Sequence, residues 1–391
     1  MGVRIIGAAA SNFGMFAALR LRDLAAEAVA GALADSGIEA TDVGMVMFGN
    51  AAAGLLNGQE MIRAQTALST SALTGLPMVS VENACASSSS AFHLAQMAIE
   101  SGMHDVVAVV GAEKMTDPDR GRALRALATA VDVDARVEAL DENGKPRAVF
   151  MELYAGVARR YMERSGATAR DFAEVVAKNT YNGSMNPIAQ IRTPISVEEV
   201  LAAREIVAPL TRPMCAGIGD GAAALILCSD KFAREHGLQG PRVLATMLCS
   251  GIANRPENII TETSRKAFAK AGVGPGDIDL VELHDAAAPA EVMVPEEIGL
   301  VAPGDGPKIV RDGTTRIGGR MPINPSGGLT ARGHPIGATG AAQLVELTNQ
   351  LRGRAGPRQV EGARIALAEN AGGSMPGGGG AACVITILEA A

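Results

Sequence analysis

Three places in the chain hold nucleophilic or acid/base side chains in settings where they could react. The first is VENACASSSSAF, residues 81–92, where a strand-forming run passes directly into a helix-forming one and Cys85 sits at the junction. A thiol at a helix start faces unpaired N–H groups and the positive end of the helix dipole, and both are expected to favour thiolate. An unperturbed thiol, with a pKa of about 8.5, is only a few per cent ionised at neutral pH, so such help matters. Cys85 is a candidate nucleophile, although a lone cysteine among small residues is also the pattern of an inert core filler. The second place is NPSGGLTARGHPIGATG, residues 324–340, whose glycines allow a tightly folded backbone while Pro335 helps fix the direction of His334. A histidine held rigidly before a helix suits a base that must meet a thiol within about 3 Å; on a surface loop it would have no such partner. The third is VELHDA, residues 281–286, where His284 and Asp285 end a buried run. Strand ends at the carboxyl edge of a parallel sheet are where sites form.

Other chemistries find less support. The histidines, at 93, 104, 236, 284 and 334, lack metal-ligand spacing, and no metal is expected. Gly217, Gly219 and Gly221 open no helix after a strand, which argues against a dinucleotide fingerprint. The glycine-rich run 371–380 lacks the Lys-Ser/Thr sequel of a phosphate loop. A net charge of −7, with both signs mixed along the chain, offers no basic face to nucleic acid or to an anionic membrane. No run reaches the roughly 18 apolar residues of a membrane span, and the first residues lack the charged head and apolar stretch of a signal peptide. Five cysteines, an odd number without C-x-x-C, argue against a disulfide framework and fit a reducing cytoplasm.

The elements that must position these residues follow from the hydrophobic rhythm. With 391 residues and 48% apolar content, the chain can bury a large core. Short β-branched runs alternate with longer amphipathic stretches, the pattern of an α/β class. In the first half the pattern predicts strands at 3–8, 43–49, 78–82 and 106–111, and helices at 21–35, 59–68 and 88–101. In the second it predicts strands at 243–249, 278–283, 364–368 and 383–388, and helices at 261–270 and 341–350. Residues 32–51 lie over 267–286 without a gap, Gly37 meeting Gly272, Asp42 meeting Asp277 and Val46 meeting Val281. A helix-closing glycine, an acidic turn and a buried strand, found twice in register, imply an internal duplication. We divide the chain into residues 1–240 and 241–391. Between about 115 and 213 the rhythm breaks, with helices at 151–164 and 169–179 and turns at 141–144 and 182–187. This inserted stretch is expected to lie over the first half and to build the substrate site.

Taken together, the cysteine elbow at Cys85, AKNTYNGSMNP at 177–187, GDGAAALIL at 219–227, the H-D pair at His284 and the GHPIGATG box holding His334 resemble the thiolase superfamily, and specifically its sterol-carrier-protein type. The resemblance covers essentially the whole chain. It implies two similar halves stacked as an α-β-α-β-α sandwich with an inserted loop domain, and dimers or tetramers. It also implies coenzyme A as a substrate rather than a bound cofactor, with Cys85 carrying an acyl group as a thioester and His334 as its activating base. His334 and His284 would together hold the thioester oxygen of the second substrate. Backbone N–H groups of Cys85 and Gly372, the latter matching the glycine of the family's C-x-G box, would form a second oxyanion hole.

The chain departs from that pattern where carbon–carbon cleavage needs a proton. The family's second acid/base cysteine heads C-x-G, where this chain has Asn370, or follows H-D, where it has Ala286. Neither side chain shuttles a proton. Cys383 lies beyond the glycine-rich loop, and strand alternation is expected to turn Glu369 away. The proton then comes from His284, from Ser374, from water, or not at all. Three readings follow. One is a thiolase-type acyltransferase. Another is a relative of different chemistry, acyl transfer to another carbon nucleophile or retro-aldol cleavage, working with a small zinc-ribbon and OB-fold subunit. The third is a non-catalytic acyl-CoA-binding subunit. The aldolase version would place tyrosines in these motifs, whereas the tyrosines here are Tyr154, Tyr161 and Tyr181.

Overall fold

The computed structural model describes residues 2–134, 148–255 and 258–391. Nine strands form one continuous mixed sheet: β1 (Val3–Ala10), β2 (Met45–Gly49), β3 (Met78–Val81), β4 (Val106–Glu113), β7 (Gly221–Ser229), β8 (Arg242–Ser250), β9 (Leu280–Glu282), β10 (Ile365–Ser374) and β11 (Gly380–Glu389). Two short strands, β5 (Glu205–Val207) and β6 (Leu210–Thr211), pair separately. The order in the large sheet is β3-β2-β4-β7-β1-β8-β11-β10-β9. Its two halves meet between β1 and β8 through one residue pair, Arg4 opposite Arg242. The sheet is therefore two sub-sheets, of five and four strands, related across that pair.

Apolar clusters separate five layers. On the outer face of the first sub-sheet, the helix Leu21–Ser36 buries Leu24, Ala28 and Val29 against Phe48, Ala108 and Val110. Between the sub-sheets the helices Ser87–Glu100 and Thr339–Leu351 bury Phe92, Ile99, Leu344 and Leu347 against Val109 and Leu225 on one side and Ala366 and Leu388 on the other. Beyond the second sub-sheet the helices Ile259–Ala271 and Pro289–Ile298 cover Leu367, Ile385 and Ile387. This is the expected sandwich, and the duplication is visible in its backbone. Gly37 and Gly272 both close a helix at φ 71°, a left-handed conformation that costs glycine little. A 3₁₀ turn follows each, Ala40–Asp42 and Pro275–Asp277, and then a strand that starts at Met45 or Leu280.

Several boundaries differ from the sequence reading. Of the helix expected at 59–68 only Arg63–Ala67 forms, because Ile62 takes φ 48° before it, and a short helix the reading did not place, Ala53–Asn57, precedes it and ends in a left-handed cap at Gly58. The helix from Ala169 continues to Ser184 through half of the expected turn. The turn expected at 141–144 lies outside the described residues. β10 runs on to Ser374, six residues past the expected end, because its glycines pair with β11 rather than forming a loop. The insertion differs most. Its core of Tyr161, Phe172, Val176, Leu210 and Met214 closes on Ala287, Val292 and Met293 of the second half, not over the first. It also touches the first half, where the helix Arg120–Leu127 packs near Ala52 and Leu56 and Ile188 O accepts the Phe13 N–H at 2.8 Å.

Candidate active site

The cysteine elbow is built by the residues around it. Asn83 leaves β3 and Ala84 adopts φ 49°, a strained setting for a residue with a Cβ that turns the chain sharply into the 3₁₀ turn Ala84–Ala86 and the helix from Ser87. The serine run after Cys85 secures this bend. Ser87 Oγ accepts the Asn83 N–H and donates to Ala84 O, Ser90 Oγ accepts from Asn83 Nδ2, and Ser88 Oγ accepts the Ala341 N–H. That last bond ties the start of one central helix to the other. A Cβ on Gly340 would lie 2.7 Å from Ser89 Cβ, so glycine is what lets the two helix starts meet.

Across this junction the structure brings together the three side chains singled out in the sequence. The Cys85 sulfur, a ring nitrogen of His284 and a ring nitrogen of His334 lie within 4.8 Å of one another, and the imidazoles meet edge to face at 5.1 Å between centroids. Such a triangle suits thiol-to-imidazole proton transfer, and it also has the spacing a soft cation would need. Gly372 lies against the same elbow, its ideal Cβ position 2.1 Å from Asn83 O and 2.7 Å from Ala86 N. The half-buried Cys85 and both histidines open on a cavity of about 410 Å³ whose wall includes Ala286, Ala371 and Tyr154. Two further cavities share walls with it. One, of about 600 Å³, is reached past Met115, Phe150 and Ile218; the other, of about 390 Å³, is reached past Tyr154, His284 and Ala371.

The hydrogen bonds fix the state of His334. Its Nδ1 lies 2.7 Å from Thr339 Oγ1, and that hydroxyl donates to Pro335 O at 3.0 Å. A hydroxyl has one proton, so with it given to Pro335 the oxygen accepts from Nδ1–H and the Nε2 lone pair is left free. Burial, reinforced by His284 and Arg332, holds His334 neutral, well below its ordinary range. His284 is likewise pushed down to about 4 by burial and Arg332.

The charge state of Cys85 corrects the sequence reading. Burial, with Glu113 and Glu82 nearby, pushes the thiol up to about 12, and only its own backbone N–H works the other way. Desolvation outweighs the helix start, so at rest the site holds a neutral thiol beside neutral imidazoles.

Sequence reasoning passed over the supports. Glu113 accepts N–H bonds from Ala51, Ala52 and Gly337 and from Asn50 Nδ2, joining the end of β4 to the turn after His334. Arg332 and Glu282 form a buried pair at 3.1 Å. Asp220, the acid of G-D-G, accepts the Met115 and Thr116 N–H groups and pairs with Lys114 at 2.7 Å, anchoring the start of the insertion. Asn179 of the insertion donates to Asp285 at 3.0 Å and to Glu291 at 3.0 Å, which makes the aspartate of H-D a structural tie. The two positions where a second cysteine was sought are also defined. Ala286 lines the cavity, whereas the Asn370 amide turns inward to Ser89 Oγ at 2.9 Å. Cys383 is buried in the outer core.

Residues 3–199 match the family described as "Thiolase, N-terminal domain", and residues 252–386 match "Thiolase C-terminal domain-like". The chain is 41% identical over 389 residues to an acetyl-CoA acetyltransferase of Methanothermobacter thermautotrophicus, covering 98% of each chain. It is 35% identical over 363 residues to sterol carrier protein 2 of Bos taurus, covering 90% of this chain and 66% of that one. Among solved structures it resembles an "Ltp2-ChsH2(DUF35) aldolase" with a TM-score of 0.78 and 26% identity, over 100% of this chain and 98% of that one.

Proposed function

The chain belongs to the thiolase family, and from that premise we propose that it is an acyl-CoA C-acyltransferase that carries its acyl group on Cys85 and makes or cleaves the carbon–carbon bond of a 3-oxoacyl-CoA. The observation that carries this reading is the meeting of the Cys85 sulfur with the two imidazoles within 4.8 Å. The uncharged resting site sets the order of events. His334 Nε2 takes the thiol proton as sulfur attacks the acyl carbonyl, so the ion pair exists only as charge moves onto the carbonyl oxygen. N–H groups of Cys85 and Gly372 receive that oxygen, and one such donor is typically worth roughly 3 kcal/mol. When the intermediate collapses, the leaving group takes the proton back from His334. In the second half-reaction His284 donates to the thioester oxygen of the second acyl-CoA while its carbon attacks the acyl-cysteine, and His334 beside it donates to that oxygen only while Nε2 holds a proton. Coenzyme A acts as substrate, and no bound cofactor is invoked.

The reading extends to organisation. The halves 1–240 and 241–391 would each supply part of the site, Cys85 from one and both histidines from the other. A homodimer or tetramer is supported by β3, an edge strand with Val79 40% exposed, and by exposed Leu55, Met61 and Ile62 nearby in sequence. Among the described residues all five cysteines are free thiols, and no helix is long and apolar enough to cross a membrane. A cytoplasmic setting fits these features.

Incubation with acetyl-CoA or acetoacetyl-CoA tests the proposal. An acyl mass should appear on the Cys85 peptide, and His334→Ala should slow its formation by at least about 100-fold. A chain that never acylates Cys85 excludes this mechanism. The likeness to the aldolase complex, with Ala286 and Asn370 where cysteines were expected, favours one second reading: carbon–carbon cleavage without an acyl-cysteine, supported by a small partner subunit. Turnover that persists in Cys85→Ala would select it.

A further inference from the structure

The acyl-transfer reading leaves one proton without a carrier, since Ala286 has no ionisable group and Asn370 is turned to Ser89 between the sheets. Glu369 is on the opposite face of β10. Sequence alternation is right that the two neighbours diverge; it is Asn370 that leaves the cavities and Glu369 that faces one. Its Oε2 accepts the His284 backbone N–H at 3.0 Å, while Oε1 is buried and without a hydrogen-bond partner. The side chain is on the wall of the 390 Å³ cavity together with His284, Tyr154 and Ala371, and those three also wall the Cys85 cavity. A fully buried carboxyl with one oxygen unsatisfied costs stability, and such a group calls for a function.

We propose that Glu369 is the acid/base that exchanges a proton with the α-carbon of the acyl-CoA, in the role that the missing second cysteine would have filled. The inference rests on the acyl-transfer reading above. In the cleavage direction His334 has taken the Cys85 proton and sulfur has added to the 3-oxo carbon. The bond from that carbon to the α-carbon breaks, its electron pair passes to the α-carbon as an enolate, and the Glu369 O–H proton is transferred there. The products of this step are the shorter acyl-CoA, an acyl-cysteine and a Glu369 carboxylate. His334 then returns its proton to that carboxylate through solvent in the cavity and takes the thiol proton of the incoming coenzyme A as its sulfur attacks the acyl-cysteine. Cys85 departs with the proton held by His334, and every group regains its starting state. Burial supports the assignment by pushing the Glu369 carboxyl up to about 8, against the His284 N–H, so that near neutral pH it carries a proton it can both lose and recover.

The test compares wild type, Glu369→Gln and Glu369→Asp with acetyl-CoA and acetoacetyl-CoA as probes; glutamine keeps an acceptor for the His284 N–H. Acyl mass left on Cys85 by acetyl-CoA reports acylation without carbon–carbon cleavage, and it is on this probe alone that acylation is compared. Deuterium entering the acetyl-CoA methyl group in heavy water, and acetoacetyl-CoA cleavage, report the α-carbon proton. Glu369→Gln should acylate within about threefold of wild type while exchange and cleavage fall at least about 100-fold. The limb of the cleavage pH profile near 8 should vanish in Glu369→Gln and persist, displaced, in Glu369→Asp. Exchange and cleavage within threefold of wild type in Glu369→Gln overturn the proposal, and so does loss of acylation in parallel with cleavage, which marks a structural role. A wild-type chain that fails to acylate Cys85 overturns the acyl-transfer reading itself and is recognised before the variants are compared.

Discussion

Arg332 Nη1 lies 3.1 Å from Glu282 Oε2 at the foot of the site, with the two side chains only 1% and 0% exposed. Glu282 also accepts the Ser326 N–H and hydroxyl, so the pair holds the end of β9 to the loop that leads to His334. The same guanidinium helps keep both histidines neutral. One buried pair thus bears on both the position of His334 and its charge.

Breaking that pair from one side should be costly. Arg332→Met leaves Glu282 buried without its cation and is expected to lower stability by about 3–5 kcal/mol in urea unfolding. Adding Glu282→Gln removes the stranded charge and should recover most of the loss. A single variant as stable as wild type would show that the pair does not secure the loop.

Thr339 should matter through the tautomer of His334. Thr339→Val removes the acceptor of Nδ1–H and frees the ring to place its proton on Nε2, where it cannot accept from Cys85. Acylation of Cys85 should fall by roughly 10–100-fold in a valine variant that thermal unfolding shows to be folded, and Thr339→Ser should restore it. Equal acylation rates in valine and serine variants would refute the tautomer argument.

The residues that meet at the site were legible because their signals are local. Gly37 and Gly272 close helices at one φ, Cys85 sits where a strand yields to a helix, and Pro335 constrains His334. What was missed depends on contacts between distant segments. Nothing near Glu113 reveals that it joins Asn50 to Gly337, and nothing near Asn370 says that its amide oxygen accepts from Ser89. Alternation along β10 separates Glu369 from Asn370 but does not say which face meets a cavity; the His284 backbone and the insertion decide that. The Cys85 charge state failed for the same reason, since a helix start is visible in sequence and the burial that outweighs it is not.

That charge state has a pH signature. With the thiol pushed up to about 12, each unit of pH between 7 and 10 should raise the thiolate fraction, and with it the rate of Cys85 alkylation by iodoacetamide, about tenfold. An ordinary thiol would instead level off above about 8.5. Peptide mapping of the alkylated chain across this range decides between them. A plateau near pH 8 would mean that the site stabilises thiolate after all.

Gly372 offers the sharpest steric test of the oxyanion hole. The added methyl of Gly372→Ala would sit 2.1 Å from Asn83 O and 2.7 Å from Ala86 N, both backbone atoms of the elbow, so relief requires β10 and the elbow to move apart. That movement would pull apart the Cys85 and Gly372 N–H groups that the proposed oxyanion hole needs together, and aligned donors of this kind are worth roughly 3 kcal/mol each. Acylation by acetyl-CoA should therefore drop at least about 100-fold, even where unfolding shows the variant still folded. Ala371→Gly is the control, because it changes the adjacent residue of the same strand without adding an atom against the elbow. Full acylation activity in Gly372→Ala would remove the Gly372 N–H from the mechanism and leave the oxygen to be held by Cys85 and the histidines.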